Sequence, residues 1–257
     1  MDIASVGGIL LAIIGVLGGL IIEGGSIAQV TQPTAMMIVL GGTLGAVMLQ
    51  FPLSVFVAAL KQFMRVFFSR DAKNEAVVAQ LVLFAMKARR SGILSLDADL
   101  DSVQDHFLKQ ALMLAVDGIE PAAVRQIMQL ELENGAEFEE RIPQVFESAG
   151  GFAPTVGIIG AVIGLIQVMQ RLDDIGAVGR GIAIAFVATI YGVGLANLVF
   201  LPAAGKLRIR QQEEHMVREM MLEGVISIQE GMNPRMIEIK LRTFLPSGRN
   251  PDSIGGG

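Results

Sequence analysis

The sequence predicts an all-α integral membrane protein, with four transmembrane helices, a helical cytoplasmic domain between spans two and three, and a cytoplasmic helix after span four. Three observations predict it. The apolar residues are gathered into four long runs, Lys and Arg cluster on one side of those runs, and the stretches between follow a helical period. Of the 257 residues, 52% are hydrophobic and only 18% charged, with 30 glycines. A soluble domain spreads a similar apolar share along its length.

A bilayer asks for about 20 apolar residues in a helical span. Residues Ile3 to Ile22 carry no charge and hold twelve Leu, Ile or Val residues. At about −0.3 to −0.6 kcal/mol each, these favour insertion by about 4–7 kcal/mol. The run reads as a span and not as a signal peptide, which needs a positive segment ahead of a shorter apolar core. The second run goes from Ala35 to about Leu60, weakened by Gln50 and Pro52, so the span is expected to end between Phe51 and Leu60. The third is Gly151 to Met169 and the fourth Gly181 to Ala204, and no run contains Asp, Glu, Lys, Arg or His before Leu60 or between those bounds.

Flanking charge sets the expected orientation. The 23–34 connection has no Lys or Arg, and in the 171–180 connection Arg171 and Arg180 are offset by Asp173 and Asp174. The other side carries Lys61, Arg65, Arg70, Lys73 and Arg141, then Lys206, Arg208, Arg210 and Arg218. By the positive-inside rule both termini lie in the cytoplasm. The chain divides into 1–60 with spans one and two, 61–150 as the cytoplasmic helical domain, 151–204 with spans three and four, and 205–257 as an amphipathic helix with a mobile tail over 248–257.

In the cytoplasmic segments Leu81, Phe84, Ala85 and Ala88 recur at helical spacing, as do Phe107, Ala111, Leu114 and Ala115. Ser91-Gly92 and Asp117-Gly118 read as helix stops, and Pro121 as a new start running toward span three. Arg208 to Glu230 forms a further helix, ended by Gly231-Met232-Asn233-Pro234.

Several function classes are excluded or left without support. A net charge of −5 argues against nucleic acid, which needs a basic surface. With no cysteine there is no disulfide, thiolate nucleophile or zinc–sulfur site. His106 and His215 lack ligand-spaced neighbours, so the sequence predicts no metal site and no cofactor. Gly192-Val193-Gly194-Leu195-Ala196-Asn197 lacks the third glycine of a dinucleotide loop, and Gly205-Lys206 lacks the upstream glycine of a phosphate loop. An enzymatic role is not expected.

The spans do carry packing chemistry. Gly15 and Gly19, Gly41 and Gly45, Gly160 and Gly164, and the series Ala188, Gly192, Ala196 are each four apart. Small residues at this interval let membrane helices approach closely. Their presence on all four spans predicts a homo-oligomer as well as packing within one subunit. The intramembrane polar groups are Thr155, Gln167, Thr189, Tyr191 and Asn197. A hydroxyl can simply bond back to its own helix, but together these groups suit an ion path. No span supplies a carboxylate to load and release an ion, so a conducting assembly needs that acid from a partner. Pro154 and Pro202, both predicted near the cytoplasmic face, each remove a helical hydrogen bond and mark a candidate hinge.

Seven segments, in order, carry a resemblance: Glu23-Gly24-Gly25-Ser26; Val39-Leu40-Gly41-Gly42; Ala88 to Leu96; Val116-Asp117-Gly118; Ala153 to Gly160; Leu195 to Pro202; and Gly231-Met232-Asn233-Pro234-Arg235. Over essentially its whole length the chain resembles the MotA/PomA family of flagellar stator A subunits. The resemblance implies a pentameric ring around the single transmembrane helices of a B-subunit dimer, each bearing the ion-binding aspartate. It implies rotation driven by ion flow against the rotor switch complex. Residue by residue, Arg89 falls on the family's rotor-facing arginine with Arg90 beside it, and Asp97 on its rotor-facing glutamate. Pro154 and Pro202 match its two functional prolines, and Thr189 its threonine facing the ion site, with Thr155 also on the ion route. Ala161 stands where sodium-driven members have Thr, which favours protons and leaves sodium open. Two rivals remain: a TolQ/ExbB-like energiser of an outer-membrane system, which has three spans, and a passive membrane scaffold.

Overall fold

The computed structural model describes residues 2–67 and 73–245; Arg70 and the 248–257 tail lie outside them. All regular elements among the described residues are helical: α1 (Ile3–Ile22), α2 (Ile27–Val30), α3 (Pro33–Gln50), α4 (Leu53–Phe63), α5 (Lys73–Ser91), α6 (His106–Val116), α7 (Pro121–Met169), α8 (Ile175–Leu195), α9 (Leu201–Gln229) and α10 (Pro234–Arg242). Tight 3-10 turns cover Met64–Phe67 and Ile93–Ser102, and a π-helical turn covers Ala196–Phe200.

Among the described residues, four helices are long and apolar enough to cross a bilayer: α1, the α2–α3 stretch, α7 and the run from α8 into α9. Span two ends just short of the range, Phe51 to Leu60, that the sequence leaves open. It stops at Gln50, because Pro52 offers no N–H and pushes Phe51 into extended backbone at φ −116° and ψ 146°. The 18 residues of α3 reach about 27 Å at 1.5 Å per residue, close to the hydrocarbon thickness. The apolar residues beyond belong to α4, a separate helix. Span four begins before Gly181, at Ile175, where the Asp174 carboxylate accepts from the Ala177 N–H at 3.0 Å and caps the helix. Pro202 does not end it, since helix continues to Gln229.

The chain forms two compact units. The first comprises Met1–Ser69 with Phe138–Ile209. No residue of α1 is buried, and Leu11 is 73% exposed, as suits a helix facing lipid. The Asp2 carboxylate caps α1 through the N–H groups of Ala4 and Ser5 and pairs with Lys206. That pair holds residues 2 and 206 at the same end, as an even number of spans between them requires. Beyond the spans, Val55, Phe56 and Ala59 of α4 join Ile142, Val145, Phe146, Ala203, Ala204 and Leu207 in one cluster, with Phe63 stacked on Phe146 at 5.5 Å.

The second unit comprises Arg70–Glu137 with Arg210–Gly257. Its core is of the ordinary water-soluble kind, with Leu81, Leu96, Leu108, Leu112, Met128, Met220, Ile226, Ile237 and Leu241 fully buried. The helical stripes of the sequence point into it: Leu81, Phe84, Ala85, Phe107, Ala111 and Ala115 are buried, while Ala88 and Leu114 lie at its edge. Gly92 and Gly118 end their helices with φ of +81° and +79°, a left-handed conformation that suits glycine. Helix α10 was not read from the sequence, although its start is a plain signal: Pro234 opens it and the Asn233 side chain accepts from the Arg235 N–H at 3.0 Å.

Candidate functional site

Spans three and four are held together by glycine, backbone on backbone. A Cβ added at Gly192 would stand 2.5 Å from the Ala153 carbonyl oxygen, and one at Gly157 would stand 2.9 Å from that of Ala188. Gly164 has the same relation to the Gly181 carbonyl, at 2.9 Å. Gly160 lies against Ala188 and Ile38, which brings α3 into the group. By contrast a Cβ added at Gly15, Gly19, Gly41 or Gly45 would meet nothing within 4 Å among the described residues beyond its own helix backbone.

The polar groups of the spans sit around this seam. Thr189 lies against Gly157, half-buried, and its hydroxyl donates to the Ala185 carbonyl at 3.2 Å. Thr155 is exposed and donates to Phe152 at 2.8 Å, and Asn197 donates to Val193 at 2.9 Å. Each of these returns to its own helix. Gln167 is exposed and Ala161 half-buried, one turn from Gly157. Tyr191 reaches further. Its hydroxyl donates to the Val30 carbonyl at 2.5 Å and accepts from the Gln32 N–H at 3.1 Å, clamping the connection into α3.

The two prolines differ in setting and in depth. Helix α7 continues without interruption past Pro154, and past Pro143, which sequence reasoning passed over. Pro154 adjoins Ala153, which faces Gly192, whereas Leu201 beside Pro202 faces Gly150. The two prolines therefore stand about one turn, or about 6 Å, apart along α7. At Pro202 the helix widens. The Leu201 N–H donates to the Ala196 carbonyl, five residues back instead of four. Such turns relieve a proline that cannot complete the α ladder, and they recur at functional positions.

In the second unit Arg89 and Arg90 end α5, where cations complement the helix C-terminus, and Asp97 lies in the 3-10 segment that follows. All three side chains are exposed. None has an ion pair among the described residues, although the neighbouring charges do: Lys87 with Asp99 at 2.6 Å, and Lys109 with Asp101 at 3.1 Å. Arg89 also borders a cavity of about 220 Å³ lined by Ala85, Ala88, Ile93, Gln229 and Met232. A separate cluster, unforeseen from the sequence, joins three helices of this unit. Glu223 of α9 pairs with Arg125 of α7 and with Lys240 of α10 at 2.7 Å, and Lys240 donates to the buried Ser227 hydroxyl at 3.2 Å. The Arg125 guanidinium, opposed in part by burial and helped by Lys240, holds the Glu223 carboxyl below its ordinary range. Glu223 in turn raises Arg125.

Two family models match the chain. Residues 6–92 fit the motility protein A N-terminal model, and residues 99–220 fit the MotA/TolQ/ExbB proton channel family. Motility protein A of Bacillus subtilis is 36% identical over 249 residues, covering 96% of this chain and 92% of the relative. The solved C. jejuni MotAB structure superposes with a TM-score of 0.91 at 32% identity, covering 98% of each chain. The flagellar MotAB stator complex of Bacillus subtilis gives 0.85 at 36% identity, covering 95% and 96%.

Proposed function

The chain belongs to the MotA/TolQ/ExbB proton channel family, among the flagellar motor stator subunits of the motility protein A kind, and from that premise we propose that it conducts protons and converts their passage into torque. Five copies form a ring around two single-span partner helices, and each of those helices brings the acid that loads and releases the ion. Glycines of α1 and α3 at which an added Cβ would meet no described residue support such an assembly, since small residues are how membrane helices associate. The matched solved structures are themselves MotAB complexes. Thr155, Thr189 and Ala161 line the ion route, with alanine at 161 favouring protons over sodium. Pro154 and Pro202 form the bend that carries motion to the Arg70–Glu137 and Arg210–Gly257 unit, which lies in the cytoplasm with both termini.

The observation that carries the torque reading is the set Arg89, Arg90 and Asp97, exposed and unpaired beside charges that are paired. A rotor needs such charges free. One ion crossing about 150 mV releases about 3.5 kcal/mol. An exposed ion pair is worth only about 0.2–1 kcal/mol, so a single passage can make and break several rotor contacts. The deciding experiment supplies the gene with its partner to a strain lacking its own stator and measures rotation speed at two sodium concentrations and constant pH. Rotation independent of sodium is expected. No rotation would sink the stator reading, and speed rising with sodium would overturn the assignment from Ala161.

A further inference from the structure

Helix α5 is apolar on two faces. Val78, Leu81, Phe84 and Ala85 go into the core of the second unit. A second stripe, Glu75, Ala79, Leu83, Met86 and Arg90, is exposed at every position. At the turn of an α-helix these five fall within a sector of about 80°. Leu83 is 60% exposed and Met86 39%. Water favours covering such side chains, and an apolar stripe rimmed by charge marks an interaction surface.

The stripe is one wall of a groove. Ala79, Leu83 and Met86 line a cavity of about 350 Å³ together with Glu238 and Arg242 of α10 and Leu245 beyond it. Glu238 and Arg242 pair with each other at 2.8 Å, whereas Glu75 and Arg90 have no ion pair among the described residues. These two free charges are opposite in sign. They stand about 22 Å apart along α5, with Leu83 and Met86 between them. Exposed charges steer a partner but hold it weakly, and apolar contact supplies the hold that they lack. Methionine, unbranched and adaptable, suits a surface that must accept more than one alignment of its partner.

We propose that the groove between α5 and α10 is a docking site for the rotor partner, taking a helix whose apolar side chains fill it between an acidic end at Arg90 and a basic end at Glu75. A helix laid in a groove is read in this way, by apolar anchors with charges at the rim setting its direction. The rotor is the occupant because the stripe ends in Arg90 beside Arg89, the charges that the torque reading keeps free for it. The proposal rests on that stator reading and adds to it an apolar anchor.

Two variants test it, expressed with a fluorescently tagged stator partner in a stator-less strain beside the unaltered chain. Leu83→Gln makes the middle of the groove polar, whereas Leu83→Met keeps it apolar. Because Leu83 is exposed, the purified Leu83→Gln complex has the mass and the unfolding temperature of the unaltered one. The number of its complexes held at each motor falls about tenfold, the loss in affinity that goes with one large apolar contact, and rotation falls with it. Leu83→Met retains both. Unchanged motor occupancy by Leu83→Gln, or an equal loss by Leu83→Met, would overturn the proposal. A smaller complex mass for Leu83→Gln would also overturn it, by showing that the groove joins copies of this chain. Failure of the unaltered chain to rotate the motor would instead remove the stator reading beneath it.

Discussion

The two units of the chain are built from the same element, the α-helix, yet held together by opposite means. Spans three and four meet through absent side chains: Gly157, Gly164 and Gly192 let backbone touch backbone. The Arg70–Glu137 and Arg210–Gly257 unit meets through large ones, with Leu81, Leu108, Met128 and Ile226 filling a common core. The difference follows from the solvent. Lipid gives apolar side chains no reason to leave it, so helices there gain by close approach and dispersion. Water expels the same side chains, so burial of volume does the work. Charge follows the same division. The second unit contains the Glu223, Arg125 and Lys240 cluster, while the core of the spans contains no ion pair among the described residues.

The largest expected effect breaks the glycine seam. Gly192→Leu would drive a side chain into the Ala153 carbonyl and the Gly157 backbone, which have no flexible end to yield. Destabilisation beyond about 4 kcal/mol is expected, seen as loss of the protein from the membrane, whereas Gly15→Leu, which meets nothing in this chain, should leave the single subunit folded. Equal abundance of the two would show that close approach does not hold the spans. Next comes the water-type core. Leu108→Ala should cost about 2–5 kcal/mol through the cavity it leaves, and an unchanged unfolding temperature would count against that core.

Glu223→Gln leaves Arg125 and Lys240 without their shared anion and should cost about 1–3 kcal/mol. The pH dependence has a definite sign. Because the folded Glu223 carboxyl lies below its unfolded value, its contribution is complete above the unfolded value and is lost as pH falls through the folded one. Acid unfolding curves of the two forms should therefore converge at low pH, and parallel curves throughout would refute the assignment. Smallest in stability are the exposed charges. Arg89→Glu and Asp97→Lys should each change stability by no more than about 0.5 kcal/mol while rotation falls strongly. A fall in abundance matching the fall in rotation would make these residues structural.

Much of this was legible in the sequence. Four spans could be counted because crossing a bilayer is a demand on local composition, about 20 uncharged residues in a row, which Ile3–Ile22 meets without help from any neighbour. Helix stops at Gly92 and Gly118 were legible for a similar reason, since a left-handed φ is a property of one residue. The end of span two stayed open between Phe51 and Leu60 because hydropathy alone continues into α4, and only the backbone at Phe51 and Pro52 separates the two helices. The resemblance placed Arg89 and Asp97, but that both stand unpaired beside the paired Lys87 and Lys109 depends on where neighbouring turns aim their side chains.

The sequence by itself determined the number of spans, the absence of any acid within the described stretches that cross the membrane, and the glycines at which helices stop. Only the tertiary structure decided which glycines serve inside the subunit and which are left bare, which carboxylate gathers Arg125 and Lys240, and that the Thr43 hydroxyl is buried without a partner. The reason is one of range. Composition and backbone preference act within a few residues, whereas these outcomes depend on the register between helices far apart in the chain, where a shift of one residue turns a side chain about 100° around its helix.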